Sequence, residues 1–128
     1  MRPRIAVTLL GCVGFILAAS GGAPGASAAP ETFLVLGVQA HGSGQFVTLR
    51  CDPPSGTHPL PEAACRVLGE ADGDFTKIPG QPGMMCPDIY DPVTVVASGD
   101  FQGRSVTFQH TYPNRCDLAR STAPVFQL

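Results

Sequence analysis

Three histidines and a scatter of serines and aspartates are the residues with which this 128-residue chain could do acid–base or nucleophilic chemistry. His41, His58, Ser43, Ser55, Asp52 and Asp88 could in principle furnish a base, a nucleophile and an orienting acid. Their contexts do not assemble one, because no Gly-x-Ser-x-Gly elbow occurs and no glycine-rich phosphate loop precedes a helix. The close carboxylates Asp72 and Asp74 lie in a glycine-containing turn and read as solvated turn residues. His58, in Ser55-Gly-Thr-His-Pro59, is surrounded by turn formers and is expected to bond the backbone rather than to act as a base. No enzyme is expected.

Cysteine is the other reactive side chain, at positions 12, 51, 65, 86 and 116. Met1-Arg-Pro-Arg4 followed by the apolar run Ile5 to Ala19 has the layout of a secretory signal, and Ala26-Ser27-Ala28 supplies a small-residue cleavage site. Residues 1–28 are therefore read as a signal peptide and 29–128 as one exported, extracellular domain. Cys12 lies inside the apolar run and leaves with the signal; Val13 to Ala19 continues that run where a lipidated cysteine would be followed by polar linker. The run is too short to be expected as a membrane span. Four cysteines in an exported chain argue for two disulfides, with three pairings open at this point and each bond contributing about 2–4 kcal/mol. No metal site or cofactor is expected, since the chain has no Cys-x-x-Cys and its histidines lack ligand spacing. Of eight basic residues Arg2 and Arg4 fall in the signal, leaving six against ten acidic ones, a balance that suggests no nucleic-acid partner.

One segment combines features that ask for a function. Met84-Met85-Cys86-Pro87-Asp88-Ile89-Tyr90-Asp91-Pro92 crowds apolar side chains, a cysteine and two prolines into a stretch that turn chemistry places at the surface. Its Met and Ile could pack inward as part of a rigid connector, or the segment could be a loop that binds a partner. Pro87 and Pro92 fix φ near −65° and restrict the residues before them, so the ordering cost of such a loop is largely met before binding.

The elements that must position this loop read as a mainly antiparallel sheet. Thr32 to Gln39 and the alternating Gln45 to Cys51, with Val47, Leu49 and Cys51 on one face, form a hairpin about Ala40–Gly44. Asp52 to Pro59 is loop, Pro61 opens a helix through Leu68 that Gly69 stops, and Ala71 to Met85 is mostly loop with a helical turn near Phe75. Val93 to Ala97 and Arg104 to His110 are strands joined through Ser98–Gly103, with Val106 and Phe108 facing inward, and Pro124 to Leu128 is a last short strand. The sum is an α+β fold of about five antiparallel strands with one or two short helices on one face.

The order and spacing of several short motifs resemble a known family. Pro54-Ser-Gly-Thr-His-Pro59, the series Cys51, Cys65, Cys86 and Cys116, the blocks Met85-Cys86-Pro87 and Tyr90-Asp91-Pro92-Val93, the Gln102-Gly103 turn, Asn114 and the closing Val125-Phe126 are together similar to the Streptomyces-type subtilisin inhibitors. The resemblance spans nearly all of residues 29–128. It implies that Cys51 bonds Cys65, that Cys86 bonds Cys116, and that a subtilisin-class serine protease attacks the bond Asp88–Ile89. By the same resemblance Met85 occupies the S4 pocket, Cys86 pairs through its backbone, Pro87 fills S2, Asp88 enters S1, Ile89 and Tyr90 lie on the leaving-group side, and Asn114 supports the loop.

Two departures accompany the match. The family usually offers Met, Lys or Arg at the specificity position, where this chain has Asp88. It also often carries Trp where Phe101 stands, which bears on the homodimer that the resemblance implies through one face of the sheet. The alternative function is a secreted, non-inhibitory binding protein on the same scaffold.

Overall fold

A computed structural model describes residues 21–22 and 29–128, so the signal expected over 1–28 lies outside the described residues except for Gly21 and Gly22. Two hairpins make the sheet. Strands β1 (Thr32–Ala40) and β2 (Ser43–Cys51) turn through His41-Gly42, with φ of 53° and 75°. Strands β3 (Val93–Phe101) and β4 (Arg104–Tyr112) turn through Gln102-Gly103, with φ of 48° and 77°. Both pairs of left-handed residues match the two-residue turn whose twist suits a hairpin. β1 then pairs with β3, giving the antiparallel order β2-β1-β3-β4.

Alternation puts Leu34, Leu36, Val38, Val47, Leu49, Val93, Val95 and Ala97 on one buried face. Helix α1 (Pro61–Glu70) lies there because Ala64, Val67 and Leu68 fall on a single stripe, with Pro61 at the helix start and Cys65 bonded to Cys51 at the end of β2. A single 3-10 turn, Phe75–Lys77, is capped by Asp74, whose carboxylate accepts from the Thr76 hydroxyl and N–H; those two bonds, the hydroxyl first, hold it below the usual carboxylate range. Phe75 contributes its ring to a cluster with Phe108 and Phe126.

The structure revises the sequence reading in four places. Among the described residues the sheet has four strands, because Pro124 to Leu128, expected as a last short strand, makes turns around the buried Val125 and Phe126: the Val125 N–H donates to the Thr122 carbonyl and its own carbonyl accepts from the His58 ring, so Val125 has no backbone group left for a ladder. β3 does not stop at Ala97 but runs on through Ser98, Gly99 and Asp100, since their backbones pair on both sides. Gly99 has φ 132°, and a Cβ there would stand 2.1 Å from the Phe33 carbonyl oxygen, so a residue that looked like a turn former is what lets β1 and β3 approach. The second of the one or two expected helices is α2 (Arg115–Thr122), in a stretch to which the sequence reading assigns no element. Finally, Phe101 is 2% exposed and packs against Gly73 in the core, so it does not belong to the face through which a dimer was expected to form.

His58 is 3% exposed, and each ring nitrogen is occupied: the Leu60 N–H donates to Nδ1 at 2.9 Å and Nε2 donates to the Val125 carbonyl at 2.8 Å. The ring is a strut between the 52–60 loop and the C-terminal segment. His58→Ala leaves the buried Val125 carbonyl and the Leu60 N–H unpaired and is expected to cost about 1–3 kcal/mol, read as a lower urea midpoint.

Candidate functional site

The 85–90 segment projects outward. Met85 is 93% exposed, Tyr90 84% and Ile89 55%, and Pro87 and Asp88 are exposed with them. Met85 and Ile89 therefore do not pack inward as a connector would require; the loop presents a row of apolar side chains to solvent with Asp88 among them.

What fixes the loop is α2 and the residues that start it. Cys86 is bonded to Cys116 in the first turn of α2. The Asp91 N–H donates to the Pro113 carbonyl at 2.7 Å, and the Gln81 N–H donates to the Arg120 carbonyl at 2.6 Å, so both ends of the segment are tied to the same platform. The Asp91 carboxylate also lies 2.8 Å from His41 Nε2, joining the exit of the loop to the β1–β2 turn. At the apex the Ile89 N–H donates to the Pro87 carbonyl at 3.0 Å, a tight turn centred on Asp88.

Asn114 is the central contact. It is the N-cap of α2, in extended conformation, and its Oδ1 accepts from the Asp117 N–H at 2.8 Å. With the oxygen so engaged, Nδ2 faces the loop and donates to the Ile89 carbonyl at 2.9 Å and, more weakly, to the Pro87 carbonyl at 3.4 Å. Those two carbonyls flank the Asp88–Ile89 peptide bond, so one buried amide, 6% exposed, braces both sides of it.

The family resemblance pointed to Asn114 and to both disulfide pairings, which the residues alone leave open, while Pro113, Asp117, Arg120 and the His41–Asp91 pair were not singled out. Asp117 Oδ2 accepts from Asn114 Nδ2 at 2.8 Å, and Arg120 pairs with the other carboxylate oxygen. The Asn114-x-x-Asp117 spacing before a helix was the legible sign of the first of these contacts. The residues weighed as a catalytic set do not converge: His58 is fully engaged with backbone, and the Ser43 hydroxyl donates to the Ala40 carbonyl. Among the described residues no group of three or more His, Cys, Asp or Glu could hold a metal, and no helix is long and apolar enough to cross a membrane.

A sequence model described as subtilisin inhibitor-like matches residues 29–114. The chain belongs to the subtilisin inhibitor-like family. The subtilisin inhibitor of Streptomyces albogriseolus is 37% identical over 119 residues, covering 88% of this chain and 83% of that protein. Subtilisin inhibitor-like protein 5 of Streptomyces fradiae is 46% identical over 81 residues, covering 62% of this chain and 76% of that protein. Among solved structures, Streptomyces caespitosus sermetstatin in complex with Bacillus licheniformis subtilisin is similar, with a TM-score of 0.64 and 34% identity, over 77% of this chain and 99% of that one.

The Cys86–Cys116 bond closes a separation of 30 residues, and its loss frees one side of the loop. Replacing both cysteines with Ser is expected to lower stability by about 3–4 kcal/mol by the chain-entropy relation. The measurement is a urea titration of the variant against the parent, with an unchanged midpoint contradicting the expectation.

Proposed function

We propose that this chain inhibits subtilisin-like serine proteases by offering the loop Met85-Cys86-Pro87-Asp88-Ile89-Tyr90 as a substrate that is bound but hardly turned over. The observation that carries this reading is the bracing of one exposed peptide bond, Asp88–Ile89, by the Asn114 amide from both sides. The family and the likeness to an inhibitor in complex with subtilisin support the same partner.

In this mechanism the loop enters the protease cleft in strand-like pairing, with Met85 at S4, Pro87 at S2, Asp88 at S1, and Ile89 and Tyr90 on the leaving side. The enzyme's serine attacks the Asp88 carbonyl, forming an ester and releasing the Ile89 amine. Cys86–Cys116 holds the acyl side, while Asn114 and the Asp91–Pro113 bond hold the amine side. The amine therefore stays beside the ester at an effective concentration of about 10⁵ M or more for well-aligned groups, and religation outruns hydrolysis.

Asp88 sets the selectivity. An ionised carboxylate entering a broad, mainly apolar S1 pocket loses its hydration without gaining a partner, at a cost of several kcal/mol. Residual binding to a subtilisin then rests on Met85, Pro87 and Tyr90, and a protease whose S1 site supplies a cation is the better match. Asp88→Met is expected to tighten inhibition of a subtilisin at neutral pH by tenfold or more, about 1.4 kcal/mol per decade. Equal inhibition constants for the two proteins would sink this assignment. A non-inhibitory binding protein on the same scaffold would show no slow nick between Asp88 and Ile89 in a panel of serine proteases that includes an acid-specific one.

The same reading makes the protein an exported one, with residues 1–28 removed and 29–128 acting outside the cell as a homodimer. The start of the family match at residue 29 supports the boundary. Support for the dimer comes from the uncovered sheet face, where Phe46 is 53% and Phe33 37% exposed beside Val35 and Val96. Phe46→Asp is expected to halve the mass seen by light scattering, whereas a parent that is already monomeric at micromolar concentration would refute the dimer.

A further inference from the structure

Building on the inhibitor reading, we propose that Asp117, clamped by Arg120, is a positioning residue for the Asp88–Ile89 bond, acting through the Asn114 amide. The geometry is a relay of three side chains along α2, from its N-cap Asn114 through Asp117 in the first turn to Arg120 in the last. Arg120 pairs with Asp117 Oδ1, Asp117 Oδ2 accepts from Asn114 Nδ2 at 2.8 Å, and Asn114 Nδ2 reaches the carbonyls of Ile89 and Pro87.

An amide nitrogen has two protons, and here three acceptors compete for them. The carboxylate takes one of them at 2.8 Å and the Ile89 carbonyl the other at 2.9 Å, with Pro87 left the longer contact at 3.4 Å. The amide plane is thereby set at both ends, by the Asp117 N–H on Oδ1 and the Asp117 carboxylate on Nδ2. The Asp117 side chain is 15% exposed, which strengthens a charge-assisted bond, and Arg120 occupies the carboxylate oxygen that could otherwise rotate onto the amide. Asp117 would also favour the helix start through the macrodipole alone. That role predicts a loss of stability but no effect that depends on Asn114.

The test is a double-mutant cycle on the full mature chain with a subtilisin, measuring the association rate and the rate of Asp88–Ile89 cleavage within the complex. Asp117→Ala should raise cleavage about tenfold, the worth of one hydrogen bond to a charged group, and leave association within about twofold. It should add nothing when Asn114 is already Ala. Arg120→Ala should move cleavage the same way, and Arg120→Lys should restore it. Full additivity with Asn114→Ala, or unchanged cleavage in Asp117→Ala, would overturn the proposal.

An enzyme-free readout separates this from the inhibitor reading. Amide exchange at Ile89 and Asp91 should quicken about tenfold in Asp117→Ala while Leu36 and Val95 in the sheet keep their protection. Unchanged loop exchange refutes the relay. A parent chain that neither inhibits nor is nicked refutes the inhibitor reading, and exchange still decides whether Asp117 holds the loop.

Discussion

A buried amide that must accept from a helix and donate to a loop at the same time is the constraint on which the site depends. Asn114 Oδ1 closes the first turn of α2, and Nδ2 holds the carbonyls on both sides of Asp88–Ile89. Asp at this position would offer acceptors alone, and Ser a single proton for the two loop carbonyls. The requirement joins two things usually separate, the start of a helix and the shape of a surface loop. Anything that shifts α2 therefore shifts the bond it braces.

The scaffold below is organised to keep α2 still. Leu118 and Thr122 bury one side of the helix, and the chain beyond it returns Val125 and Phe126 to the core, where Phe126 meets Phe75 and Phe108. His58 locks that return by donating to Val125, and Cys51–Cys65 ties α1 to the end of β2 nearby in the chain. Gly80 lies so close to the Arg120 carbonyl that a Cβ would stand 2.2 Å from it, bringing the entry of the loop flat against the end of α2. Disulfide, cap and backbone bonds thus meet on one short helix. The loop can then leave Met85, Ile89 and Tyr90 in water without losing its shape, and little ordering remains for a partner to impose.

Because the apex makes its supporting contacts through backbone carbonyls, the side chain of Asp88 is free of the fold. The carboxylate is exposed in the unbound protein, and a desolvation cost arises when a partner removes its water. On the proposed reading, stability and selectivity are decoupled by this arrangement: the scaffold fixes where the chain is presented, while one exposed side chain would meet the partner's pocket.

The hairpins, the face carrying Val47 and Leu49, helix α1 and the exposed loop were legible in the residues, because alternation, a proline at a helix start and paired prolines have local causes. Family resemblance added the pairing of Cys86 with Cys116 and the role of Asn114. The rest lies in non-local partners. Gly99 reads as a turn former until the Phe33 carbonyl is seen against it, and Val125 reads as strand until His58, 67 residues away, takes its carbonyl. α2 has little apolar patterning of its own and is made by its cap, its disulfide and the core beneath it. By itself the sequence placed the 84–92 segment at the surface, and the family resemblance singled out the Asp88–Ile89 bond within it. Only the tertiary structure decided that Asn114, Asp117 and Arg120 meet there, since a side chain's hydrogen-bond partners depend on what the fold brings within 3 Å of it.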